Sequence, residues 1–183
     1  MRLLLFIVPL LFTPIAYSTE QIGEIYKIDG EEFIIEVMPE GKSPLESLYT
    51  FDEILSKLKL EGWCSANWRG YQGTWEVINN ELYLVSLVKG ACSENPPLVD
   101  PSSLFETGTY PIKAKWFSEE IKIRLSEDEY IYCESSESNE HMIGSKYDAI
   151  IYRFDSGNLI KKYNDKVEVI FDHKIEKCLN QQD

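Results

Sequence analysis

The sequence predicts a mainly β fold: a single antiparallel β-rich domain, built as a meander, partly closed barrel or sandwich, with one or two short helices near residues 44–60. Three observations predict it. Apolar and polar residues alternate over many short runs, tight-turn residues separate those runs, and only one segment carries helical spacing. The repeating strand–helix order of a doubly wound sheet is missing.

The first eighteen residues read as a cleavable secretory signal peptide. Arg2 gives a positive start, Leu3 to Leu11 an apolar stretch, and Ala16-Tyr17-Ser18 a small-residue cleavage site. From Leu3 to Tyr17 there are fifteen residues, fewer than the ~20 that span a bilayer. Residues 19–183 are then one domain, exported to the periplasm or the extracellular space, with no stable membrane span after cleavage.

Gly23 to Ile28 and Glu32 to Val37 are β-rich runs around Asp29-Gly30, a strong hairpin signal. Ser43-Pro44-Leu45-Glu46 has the form of a helix start, and Leu45, Leu48, Phe51, Ile54, Leu55 and Leu58 follow at helical spacings. From Trp68 the period becomes two, and Asn79-Asn80 turns one long strand into the next. Residues 89–109, with Pro96, Pro97 and Pro101, form a long loop that suits a covering flap or a binding loop. Strands resume at Pro111 to Trp116, Ile121 to Leu125 and Tyr130 to Cys133, before an acidic loop from Glu134 to Gly144. Ala149 to Arg153, Leu159 to Tyr163 and Val167 to Asp172 complete the set, joined around Asp155-Ser156-Gly157-Asn158 and at Asn164-Asp165.

The full chain carries a formal charge of −13, and removal of Arg2 with the signal peptide makes it −14. Such a surface repels phosphate backbones, which argues against nucleic acid and favours a cationic protein partner. Charge also serves solubility alone. Cys64, Cys92, Cys133 and Cys178 are an even set that an oxidising compartment would pair. Of the three pairings, Cys64–Cys92 with Cys133–Cys178 closes two local halves. No compact C-x-x-C spacing supports a metal or a thioredoxin-like redox site.

The densest stretch runs from Cys64 to Glu76 (CSANWRGYQGTWE). It resembles an uncharacterised group of bacterial proteins with a W-R-G-Y-x-x-T-W-E block, whose function is unknown. Those proteins also carry a W-F-S/T-G-x-(I/L)-x-I segment, to which Trp116 to Ile123 is similar, with Glu119 in place of the usual glycine. The resemblance implies a bacterial origin and a compact β-rich domain, and brings no activity or ligand.

Physically, Trp68, Tyr71, Trp75 and Trp116 would wall an aromatic pocket for a small ligand, with Arg69 as an anion-directed fork and Glu76 its partner. In the alternative, the rings are packing, Arg69 ties down Glu76 or a carbonyl, and Gly70 and Gly73 permit a bulge or a close backbone approach.

Catalytic patterns are sparse. The imidazoles are His141 and His173, and no G-x-S-x-G, H-E-x-x-H or P-loop motif is present. Carboxylates such as Glu76 and Glu120 permit a glycosidase-like pair, but they are abundant throughout. The acidic run at 127–129 and the loop after Glu134 lack the EF-hand order. Nothing calls for a cofactor. The leading expectation is an exported, non-enzymatic binding or interaction module, such as an inhibitor or protective factor for a cationic protein. A small periplasmic hydrolase and a purely structural envelope protein are the alternatives.

Overall fold

Local turn chemistry sets the first unit. Asp29 and Gly30 both take positive φ, at 56° and 84°, and join β1 (Glu24–Ile28) to β2 (Glu31–Ile35) in an antiparallel hairpin. The computed structural model describes residues 21–35, 42–60, 64–90, 92–106, 108–133 and 141–171; the signal peptide, His173 and Cys178 lie outside them.

The helical segment divides. Residues 44–48 form turns, and the helix α1 (Phe51–Leu58) begins one step later. Its cap is Thr50, whose side chain accepts from the Glu53 N–H while the Glu53 carboxylate accepts from the Thr50 N–H. Ser43 therefore caps no helix; its hydroxyl accepts from Leu45 N–H at 3.3 Å and shapes the turn instead. Ile54 and Leu58 bury the apolar face of α1.

This crossover has a consequence for topology. β3 (Tyr71–Ile78) returns beside β1 in the same direction, with Ile25, Tyr26 and Lys27 opposite Thr74, Trp75 and Glu76. The expectation of a wholly antiparallel sheet is thus corrected: the sheet is mixed. A connection containing a hairpin and a helix is long enough for a parallel return, whereas a tight turn is not.

Asn79 and Asn80, at φ 53° and 63°, turn β3 into β4 (Glu81–Lys89). The chain then runs through a short 3₁₀ turn at Pro101–Ser103 to β5 (Ile112–Lys113), β6 (Glu120–Arg124) and β7 (Glu129–Cys133). β5 is shorter than the expected strand at 111–116, because from Ala114 the chain turns to set Phe117 N–H on the Ala114 carbonyl. The long hairpin of β8 (His141–Asp155) and β9 (Asn158–Ile170) closes the fold. Asn164-Asp165 is not a turn: both residues stay in register, opposite Ile150 and Ala149. The expected loop at 134–144 is shorter at its far end, since residues 141–144 belong to β8.

The strands follow the order β2-β1-β3-β4-β9-β8-β6, with β5 on β4 and β7 on β8, and the sheet is not closed into a barrel. β4 and β9 meet only at Glu81 and Asn158. Tyr71, Trp75, Leu84, Ile54, Phe117 and Phe154 are among the wholly buried side chains of the main core. A smaller cluster of Tyr147, Ala149, Ile151 and Val167 lies on β8 and β9. Among the described residues, no helix is long and apolar enough to cross a membrane.

Candidate functional site

Arg69 sits in the turns before β3 and is 2 % exposed. Burying a guanidinium is costly unless charge and hydrogen bonds compensate it. Two carboxylates do so. Arg69 Nη1 donates to Glu24 Oε1 at 2.9 Å, and Glu46 Oε1 lies 3.5 Å from the same nitrogen. Its Nη2 is buried without an acceptor among the described residues, so this is not an anion fork open to solvent.

The aromatic residues of the block converge on the same acids. Alternation along β3 turns Tyr71, Gly73 and Trp75 inward and Gln72, Thr74 and Glu76 outward. Trp75 Nε1–H donates to Glu24 Oε2 at 2.6 Å. The Tyr71 hydroxyl donates to Glu46 at 2.7 Å, and its ring lies 4.9 Å from the Arg69 guanidinium carbon. Between them, Gly73 leaves room that a Cβ would fill by colliding with the Glu24 carboxylate and the Trp75 indole nitrogen.

Electrostatics follow this enclosure. Burial pushes the Glu24 carboxyl above its usual range, against the pull of the Arg69 charge and the Trp75 and Gly73 N–H groups. Burial opposes the Arg69 charge, but Glu24, Tyr71 and Glu46 outweigh it and hold the guanidinium charged. Tyr71 is raised by burial and by both glutamates, which keeps it a hydroxyl donor.

The expected pairing of Arg69 with Glu76 is therefore corrected: Glu24 and Glu46 take that place. The reason is parity. Glu76 is on the outward row of β3, opposite Lys27 on β1 and Tyr83 on β4. Nor does Glu76 share a network with Glu120, which accepts from Arg153 at 2.6 Å and from the Tyr163 hydroxyl at 2.9 Å.

The expected pocket wall is likewise divided. Tyr71 and Trp75 are fully buried packing. Trp116 is partly buried; its Nε1–H donates to the Pro44 carbonyl at 2.7 Å and its ring stacks on Phe105 at 5.4 Å. Trp68 alone of the six candidates is broadly exposed, at 43 %, with its ring 5.3 Å from Phe51 at the start of α1. Exposed Asp52 and Glu53 follow Phe51. Cys64 and Cys92 face each other with their Cα atoms 6.5 Å apart, and Gly90 N–H bonds the Gly70 carbonyl.

Glu24 and Glu46 are the members that sequence reasoning missed. Their separations from Arg69, of 45 and 23 positions, carry no local signal; Glu24 at an inward position of a strand was the available one. Among the described residues, no group of three or more His, Cys, Asp or Glu could hold a metal ion. Set against protein-family models, curated proteins and solved structures, the chain matches none of them.

Proposed function

We propose that this chain is an exported, acidic interaction module that docks a cationic protein, with Trp68 as the apolar anchor. The observation that supports this most is the division within one block: Arg69, Tyr71 and Trp75 hold the scaffold, while Trp68 stays at the surface with its ring on Phe51. Tryptophan supplies a large contact area with few rotatable bonds and is enriched among residues that dominate binding energy. The charge of the exported chain, −13 for the full sequence and −14 without Arg2, would steer a basic partner toward the surface. The proposal includes oxidised Cys64–Cys92 and Cys133–Cys178 pairs, suited to an exported chain.

Parallel capture of envelope proteins on wild-type and Trp68→Ala chains, followed by direct titration of what is retained, tests the reading. A basic protein should be retained, should bind less tightly as salt rises, and should lose about 2 kcal/mol or more with Trp68→Ala. A partner indifferent to both salt and Trp68→Ala would overturn it.

A further inference from the structure

Two consecutive turns separate the buried residues of the central block from its exposed one. Asn67 N–H bonds the Cys64 carbonyl at 3.0 Å, closing the first over residues 64–67. Gly70 N–H bonds the Asn67 carbonyl at 3.1 Å and closes the second, of which Trp68 and Arg69 are the corner residues. Both turns are tied to neighbouring segments: the Ala66 carbonyl accepts from Ile22 N–H at 2.7 Å, and the Gly70 carbonyl from Gly90 N–H at 2.8 Å. Gly70 takes φ 74°, and a Cβ added there would come within 3.1 Å of Leu60 Cδ1.

Asn67 holds the second turn twice over. Besides its carbonyl, its side-chain Oδ1 accepts from the same Gly70 N–H at 3.1 Å. Asn67 is 2 % exposed, and its Nδ2 is buried with no acceptor among the described residues. A buried donor left unpaired costs stability, so packing alone would favour an apolar residue here. The oxygen is what the turn uses: a side-chain acceptor at the head of a turn ties its first residue to its fourth. Asn67 and Arg69 are both buried, and the residue between them, Trp68, faces outward with its ring against Phe51.

We propose that Asn67 is the positioning residue for Trp68: by locking the 67–70 turn it orders the ring before a partner arrives. An anchor ordered in advance avoids the entropy cost of immobilising a side chain on binding. The inference takes the docking of Trp68 from the proposed function, whereas the order of the free ring is independent of any partner.

Relaxation of the 15N-labelled indole N–H groups in the free chain tests it. The chain has four tryptophans, and the signal lost in Trp68→Phe is that of Trp68. Its order parameter in wild type should be close to that of rigid backbone, about 0.85, and in Asn67→Ala should fall below about 0.6. The Trp75 and Trp116 signals, from N–H groups bonded to Glu24 and Pro44, should stay unchanged, which separates positioning from a general loosening. Asn67→Ser keeps a side-chain acceptor for the Gly70 N–H and should restore most of the order. Toward the basic protein that wild type retains in the capture described above, Asn67→Ala should bind about threefold to tenfold more weakly. In a Trp68→Ala background the same substitution should have no effect on binding. A Trp68 ring equally ordered in wild type and Asn67→Ala, a loss of order shared by Trp75 and Trp116, or an affinity loss that persists without Trp68 would each overturn the proposal. Failure of wild type to retain any basic protein would remove the docking reading instead, and the relaxation measurement would still decide the positioning.

Discussion

At Arg69 the decisive quantity is the cost of leaving charge in the core. Arg69→Ala strips Glu24 of its charged partner and removes the cation over the Tyr71 ring. Breaking a buried pair from one side costs about 3–5 kcal/mol, and chemical denaturation of the variant should show a loss of that size. Glu24 adds a pH signature. Its folded-state pKa is raised by burial above the ordinary value of 4.5. A carboxyl shifted this way contributes stability that is fully present below the unfolded value and lost as pH rises through the folded one. Relative to Glu24→Gln, wild type should therefore gain stability as pH falls from neutral toward that ordinary value. A constant difference, or one of opposite sign, would contradict the buried-carboxyl account. Gly73→Ala should also destabilise the fold, because the added methyl meets the Glu24 carboxylate and the Trp75 ring.

Elements are stabilised here by local chemistry as much as by burial. Thr50→Ala removes one side of the capping box on α1 and should cost about 1 kcal/mol in thermal or chemical denaturation. Ile54→Ala, at a wholly buried position, should cost about 2–4 kcal/mol through lost burial and a residual cavity. The proposed Cys64–Cys92 bond would close a loop over 28 positions, to which the chain-entropy argument assigns roughly 3.5 kcal/mol. Denaturation of the oxidised chain and of a Cys64→Ser, Cys92→Ser variant should differ by up to that amount. Such local features were the legible part of the sequence. Asp29-Gly30 and Asn79-Asn80 announce their hairpins because few residues accept positive φ. Asn164-Asp165 misled for the same reason, since polar residues on an exposed strand resemble a turn when cross-strand register is unknown. Ser43 heads a cap-like sequence, but the helix starts at Thr50, whose capping box with Glu53 is formed and whose helix buries Ile54 and Leu58.

At the scale of the molecule, long-range pairing was the illegible part. The parallel return of β3 beside β1, and the meeting of Arg69 with Glu24, depend on segments far apart in sequence. No local periodicity encodes which strands become neighbours. On β3 Trp75 is inward and Glu76 outward, and that parity excludes the expected Arg69–Glu76 pair. A further long-range tie joins the first hairpin to the last: Asp29 accepts from Lys162 at 2.6 Å and from the Tyr152 hydroxyl at 3.0 Å. The block around Arg69 therefore has two faces. One draws β1, β3 and the turn at Glu46 together; the other leaves Trp68 outside. Equilibrium denaturation of Arg69→Ala and Trp68→Ala, run side by side, tests that division most directly. The division predicts the large loss argued above for Arg69→Ala and at most about 1 kcal/mol for Trp68→Ala, whose exposed ring contributes mainly its contact with Phe51. Equal losses, or a larger one from Trp68→Ala, would contradict it.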